Sequence, residues 1–227
     1  MTDIATTAVV NRAAELEADV RIGPYAIIGP NVRLGRGTTV GAHAILDGYT
    51  EIGNGCRVFP HAAVGLEPQD LKYRGDKTWL RVGDRTVIRE FATLTPATEE
   101  GKETVVGSDC LLMAYSHVAH DCRLGNHVIL ANAVNLAGHV EVGEYGVVGG
   151  VTPVHQFVRI GAHAIIGGGS RIPQDVAPFT RVAGNPPRAY GLNKVGLLRR
   201  GFTREKVAAL KRAYRILFRQ QLTVAEA

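Results

Sequence analysis

Residues 116–122, "SHVAHDC", bring two imidazoles, a carboxylate and a thiol together. Side chains of these types could hold a metal, pair a thiol nucleophile with its base, or supply a lone general base. The chain has three cysteines and no CxxC spacing, so neither a disulfide framework nor a cysteine-rich zinc site is expected. The elements that carry these side chains decide among the remaining chemistries.

A period of six sets those elements. From Ile4 to Ile172 every sixth residue is aliphatic except Asp70, Asp76 and Glu100, so 26 of 29 positions keep one register. This period matches neither a helical stripe nor simple strand alternation. It suits short strands joined by tight corners, each strand pointing one large aliphatic inward, with glycine or asparagine easing the turn. Three strands make an 18-residue triangular coil, and residues 18 apart then stack at about 4.8 Å. The expected fold is mainly β, a hexapeptide-repeat solenoid over residues 1–180. Polar loops leave it near 65–81 and 95–105, where the register fails. Residues 181–227 are expected to form a short C-terminal helical extension that helps to cover the coil end. There Thr203 is a plausible N-cap, and Val207, Leu210, Tyr214, Leu217 and Phe218 recur at helical spacing.

The stacking rule converts offsets into neighbours. His120, Gly138 and Gln156 are expected at one corner on three successive coils, with His139 and His155 beside them and His117 on the turn just before. His43, His61, His127 and His163 fall at the outward third residue after their aliphatic, which suits solvated side chains. Cys56, Cys110 and Cys122 fall at the small inward position, where a thiol packs as an inert apolar group. That weakens a Cys–His nucleophile and leaves a base without one. His120 could take a proton from a bound hydroxyl or amine, Asp121 could hold its ring, and the Gly138 N–H could receive an oxyanion. The pattern fits direct acyl transfer. A phosphate-bearing acceptor would find cations in Lys72, Arg199 and Arg200.

Five motifs then carry a resemblance: "QDLKY" at 69–73, "HVAHDC" at 117–122, "LAGHV" at 136–140, "VHQF" at 154–157 and "RRGF" at 199–202. In this order and spacing, from about residue 5 to about 221, the chain resembles the bacterial acyl-[acyl-carrier-protein]–UDP-N-acetylglucosamine O-acyltransferases, which begin lipid A synthesis. The resemblance implies a left-handed parallel β-helix and a cytoplasmic homotrimer with sites between subunits, without a cofactor or catalytic metal. It implies His120 as the base toward the glucosamine 3-hydroxyl, Asp121 as its orienting group and Gly138 N–H as oxyanion donor. Gln69, Asp70, Lys72, His117, His139, His155 and Gln156 are implied along the substrate surfaces. Asn193, Arg199 and Arg200 are implied near the nucleotide and phosphopantetheine ends, and Gly168 as the acyl-chain ruler, open to a longer hydroxyacyl chain.

The chain departs from the family pattern in several places. Val195 stands where an acidic residue is common, "TPAT" at 95–98 replaces "HRGT", Pro186 replaces a histidine, and the chain stops soon after its first C-terminal helix. Val195 keeps N-acyl transfer to a 3-amino UDP-sugar open. A trimeric zinc lyase using His117, His120 and His139 is a further alternative, and an ice-binding solenoid would need flat ranks of threonine that are absent here. Residues 185–227 carry ten Lys/Arg against two Glu, a basic surface that suits an acidic carrier protein, and no nucleic-acid partner is expected. The chain has no signal-peptide pattern at its start and no apolar run of about 20 residues, so stable membrane insertion is not expected.

Overall fold

Short strands wind into a triangular prism, a left-handed parallel β-helix, in the computed structural model, which describes residues 2–220. The end of the region expected at 181–227, residues 221–227, lies outside the described residues. Three parallel sheets form the faces. Face A runs from Asp3–Ile4 through Arg21–Ile22 to Ile165–Ile166, face B from Val9–Val10 to Pro153–Val154, and face C from Glu15–Leu16 to Arg159–Ile160. The repeating aliphatics fill the interior, and Leu34, Leu46, Leu94 and Leu136 are fully buried. Stacking is strict where coils have 18 residues, as in Leu111↔Ile129 and His117↔Asn135. It lengthens to 30 residues at Ala63↔Thr93 and 24 at Thr93↔His117, because two segments leave the coil there.

Both segments leave at the same prism edge. Residues 65–78 follow the face B strand Ala63–Val64, and residues 95–102 follow Thr93–Leu94; each segment ends where a face C strand begins. On the next three coils this B–C edge carries His120/Asp121, Gly138/His139 and Gln156/Phe157. The excursions are therefore stacked beneath His120.

The corners follow the sequence expectation only in part: Gly37, Gly55 and Gly169 take a left-handed φ there, but most corners do not use glycine for it. Glycines that follow the strands, such as Gly35 and Gly107, lack a left-handed φ; a Cβ on either would lie 2.6 Å from the backbone of the next coil. They are glycine because adjacent coils touch there. The left-handed φ, near 60°, falls one or two residues later on side chains such as Tyr25, His43, His61, Asp121 and His139. Each such residue costs about 1–3 kcal/mol of backbone strain. At two edges ring stacking offsets part of it. Tyr25, His43, His61, Phe91 and Tyr115 stack at centroid spacings of 4.9–5.1 Å. His127, Tyr145, His163 and Phe179 form a second column. The four outward histidines are thus rungs of ring stacks; His43 and His61 are also exposed as expected, while His127 and His163 are half-buried.

The end of the prism is closed by elements that the six-residue period does not announce. Thr180–Ala183 extends face A and pairs antiparallel with Arg188–Leu192. Helix α1, Lys194–Arg199, is capped by Asn193. Helix α2, Arg204–Arg219, is capped by Thr203, whose hydroxyl accepts the Lys206 N–H as its position predicted. The Tyr214 hydroxyl donates to Ala189 O at 2.9 Å and pins α2 to the hairpin. Among the described residues no helix is long and apolar enough to cross a membrane.

Candidate active site

His120 sits at the B–C edge with its ring over Gly138, at a distance that only a glycine permits. A Cβ on Gly138 would lie 2.4 Å from His120 Cε1 and 2.6 Å from Nε2. The ring is held from the other side, with Nδ1 2.9 Å from Asp121 Oδ2. An ionised carboxylate only accepts, so Nδ1 carries the proton and the Nε2 lone pair is left as the basic site. Asp121 is itself anchored: its N–H donates to Thr104 Oγ1 at 2.8 Å, and its Oδ2 accepts the Thr98 hydroxyl at 2.9 Å. Both side chains are mostly covered, 17% and 12% exposed, so water screens their interaction weakly.

The other donor of the proposed chemistry is the Gly138 N–H. At the C–A edge, four corner N–H groups are capped by a side chain of the next coil, Arg36 by Asn54, Asn54 by Asp84, Asp84 by Ser108 and Ser108 by Asn126, while those of Asn126, Glu144 and Ala162 on the later coils are not. The coil above Gly138 offers Gln156 instead. Among the described residues the Gly138 N–H has no acceptor. A free N–H therefore sits beside the basic imidazole, on a residue without a side chain to block approach.

Several sequence-predicted residues gather around this pair. Asp70 reaches in from the first excursion, with Oδ2 3.8 Å from His120 Nε2, while its Oδ1 takes the Lys72 N–H at 2.9 Å. Gln69 and Lys72 are exposed on that loop. His139 meets His120 edge-on at 5.2 Å and stacks on Phe157 at 4.6 Å. His117 lies on a face B strand, His117–Val118, and not on a turn; its Nδ1 is 2.7 Å from Thr93 Oγ1. Burial, and secondarily the nearby His120 charge, push its pKa below the ordinary imidazole value. Gln156 is exposed above Gly138, and the exposed His155 directs Nδ1 to Gln156 O at 3.1 Å. A cleft of about 480 Å³ opens along the face C side of this edge, lined by Asp121, His139, Phe157, Arg123 and Arg159 among others.

Other predicted residues stand apart from His120 within the chain. Gly168 occupies the A–B edge above Gly150. Asn193 is buried and committed to local structure, with Oδ1 on the Gly196 N–H and Nδ2 on His163 O. Arg199 is exposed. Arg200 packs over the Tyr145 ring at 4.9 Å, at the C–A edge. Cys122 is buried with its thiol on Ala137 O, and burial pushes its pKa up to about 12, so it is no nucleophile at neutral pH. The metal-capable group that forms is also not the expected one. His120, Asp121 and His139 place ligand-type atoms within 4.8 Å of one another, whereas His117 lies outside that set and faces Thr93. Thr98 and Thr104 were not singled out by sequence; their signal is only their place on either side of the end of the second excursion.

Comparisons with known proteins agree on one family. A family model described as "Udp N-acetylglucosamine O-acyltransferase; Domain 2" matches residues 175–227, and one for six bacterial-transferase hexapeptide repeats matches 13–48 and 103–138. An acyl-[acyl-carrier-protein]–UDP-N-acetylglucosamine O-acyltransferase of Thermodesulfovibrio yellowstonii is 49% identical over 100% of this chain and 88% of its own length. One from Herminiimonas arsenicoxydans is 45% identical over 100% and 87%. The solved structure of LpxA from Acinetobacter baumannii superposes with a TM-score of 0.93 at 42% identity, over 97% of this chain and 86% of that one. The Francisella novicida UDP-N-acetylglucosamine acyltransferase gives 0.95 at 37%, over 98% and 82%.

Proposed function

The chain belongs to the acyl-[acyl-carrier-protein]–UDP-N-acetylglucosamine O-acyltransferases, and from that we infer that it moves a 3-hydroxyacyl group from acyl carrier protein to the glucosamine 3-hydroxyl of UDP-N-acetylglucosamine, the first step of lipid A synthesis. His120 Nε2 takes the proton of the 3-hydroxyl as its oxygen attacks the thioester carbon. The Gly138 N–H receives the charge that grows on the carbonyl oxygen. Collapse breaks the C–S bond, the departing phosphopantetheine thiolate takes the proton from the His120 imidazolium, and Asp121 steadies that imidazolium between the two transfers. The observation that carries this reading is the His120 ring held at Nδ1 by Asp121 beside the uncapped Gly138 N–H. The relatives' names favour the hydroxyl acceptor over the 3-amine that Val195 left open.

The faces support a trimer. Face C carries a ladder of ion pairs, Arg33–Glu15, Arg81 with Glu51 and Glu103, Arg123–Glu103 and Arg159–Glu141, which suits solvent. Face A presents Val87, Leu111, Ile129, Val147 and Ile165 outward on the upper coils and Arg21, Thr39 and Arg57 on the lower ones. Face B presents Val9, Ile27, Ile45 and Ala63 on the lower coils and Thr93, His117, Asn135 and Pro153 on the upper ones, so each level pairs an apolar row with a mostly polar one. The edge between them exposes Tyr25, Phe91, Tyr115 and Val151. Packing face A of one subunit on face B of the next is a heterologous contact, and three copies close the ring. The A–B edges then meet at the axis, and the C–A edge of one subunit lies beside the B–C edge of its neighbour. Asn193, Arg199 and Arg200 thereby approach the neighbour's His120, where Gln69, Lys72, His155 and Gln156 line the nucleotide, sugar and acyl surfaces and Gly168 bounds the acyl groove. The enzyme works in the cytoplasm, with the basic α2 surface toward the acidic carrier protein.

Purified protein assayed with 3-hydroxyacyl carrier protein and UDP-N-acetylglucosamine gives O-acylated product. His120→Ala keeps its fold and assembly and loses at least about 10²-fold in kcat. A His120→Ala variant with full activity would remove the base from this mechanism.

A further inference from the structure

We infer that Thr98 is a positioning residue of the acyl-transfer site, whose hydroxyl decides which imidazole Asp121 serves. The inference rests on the reading that Asp121 orients His120. Thr98 belongs to the second excursion, residues 95–102, the insertion that lengthens the Thr93↔His117 step to 24 residues. The insertion brings the Thr98 hydroxyl to 2.9 Å and its N–H to 3.3 Å from Asp121 Oδ2. The same oxygen faces two imidazoles, His120 Nδ1 at 2.9 Å and His139 Nε2 at 3.8 Å.

Thr104 cannot make this choice, because it holds the Asp121 main-chain N–H and leaves the side-chain torsions free. Each carboxylate oxygen has only a few lone-pair directions, and a strong donor fixes how the remaining ones point. With the Thr98 hydroxyl in place, Oδ2 is directed at His120. Without it, a small rotation lets His139 capture the carboxylate, and His120 loses the partner that sets its tautomer. The departure of "TPAT" from the common "HRGT" leaves this threonine in place and changes the three residues before it. Ala97 in that stretch is fully buried, so the turn presenting Thr98 is packed against the coil.

The full-length enzyme tests this with Thr98→Val, which keeps the shape and the backbone N–H, and Thr98→Ser, which restores the hydroxyl. Thr98→Val should lower kcat by about 5- to 20-fold, with KM for both substrates within about twofold and thermal melting unchanged. Thr98→Ser should recover most of the rate. The ¹⁵N imidazole signals of His120 should move toward a tautomer mixture in the valine variant only. In an Asp121→Ala background Thr98→Val should cost nothing further, since both changes break one unit. Should valine disturb the turn, Thr98→Ala makes the same comparison. Wild-type kcat in the valine and alanine variants, or a loss that multiplies with Asp121→Ala, overturns the role of Thr98. Wild-type activity in Asp121→Asn would instead sink the reading of Asp121 beneath it.

Discussion

Replacing Gly138 by alanine adds one methyl group at the point where two coils trap an imidazole. The new Cβ would lie 2.4, 2.6 and 3.1 Å from His120 Cε1, Nε2 and Nδ1. Ordinary carbon contacts begin near 3.5 Å, so about 1 Å of movement is needed. The coils cannot supply it, because Ala119 N to Leu136 O, His139 N to His120 O and Phe157 N to Gly138 O fix their spacing. The ring therefore moves, and its 2.9 Å contact with Asp121 opens beyond hydrogen-bond reach. A misplacement of this size costs about 10²-fold in rate. The methyl also crowds the uncapped N–H, so kcat should fall by about 10²- to 10³-fold. Stability should change little, because Gly138 does not adopt the left-handed φ that penalises alanine. Gly37→Ala is the opposite control. Gly37 has φ +70° with open space around it, so alanine there should cost about 1 kcal/mol of stability and leave kcat unchanged. Steady-state acyl transfer and thermal melting on the two variants separate the cases. A Gly138→Ala enzyme with wild-type kcat would refute the claim that the ring and this N–H share one reacting carbonyl.

Two further outcomes follow from burial. Cys122→Ala should keep kcat within about twofold and cost about 1 kcal/mol of stability, and iodoacetamide should not inactivate the folded wild type, since the thiol is buried with its pKa near 12; rapid alkylation at Cys122 with loss of activity would contradict this. His117 has a depressed folded-state pKa, so the unfolded chain binds its proton first as pH falls. The stability tied to neutral His117 is therefore full above the ordinary imidazole pKa near 6.5 and is lost as pH falls from there toward the lower folded value. His117→Gln should flatten that part of the pH–stability curve, measured by urea denaturation at successive pH values, and an unchanged acid slope would show that His117 does not contribute.

The repeat was legible because one physical demand recurs 26 times: a large aliphatic must point inward every sixth residue. The stacking of His120 over Gly138 and the burial of the cysteines follow from the same register. The corner rule was harder to see. Glycine directly after a strand looks like conformational freedom, but it marks contact between coils, while the left-handed φ two residues later is borne mostly by Asp, His and aromatic residues and by glycine only at corners such as Gly37 and Gly55. The supports of Asp121 were hidden for another reason. Thr98 reaches Asp121 across an insertion, so no fixed offset connects them, and the hairpin at 180–192 follows antiparallel pairing outside the six-residue period. Asn193, Arg199 and Arg200 show the remaining limit. They lie outside the six-residue register and stand apart from His120 within the chain, and in the proposed trimer it is packing between chains that brings them to it.

That packing can be tested by mixing two inactive enzymes. If a site joins His120 of one subunit to Arg200 of the next, then His120→Ala and Arg200→Met each disable every site in a pure trimer. Methionine keeps an apolar stem against Tyr145, over which Arg200 now packs, so the variant should fold. Coexpressed in equal amounts with different tags, the two chains assemble at random. A site then works when the subunit giving its B–C edge is the Arg200→Met chain and the neighbour giving its C–A edge is the His120→Ala chain. Those conditions are independent, each met half the time, so about one quarter of sites recover in a closed threefold ring. If His120 and Arg200 acted within one chain, each subunit would carry one defect of its own and no site would recover. Doubly tagged trimers no more active than either parent would therefore overturn the packing of face A on face B, while leaving the His120–Asp121–Gly138 geometry of the single chain untouched.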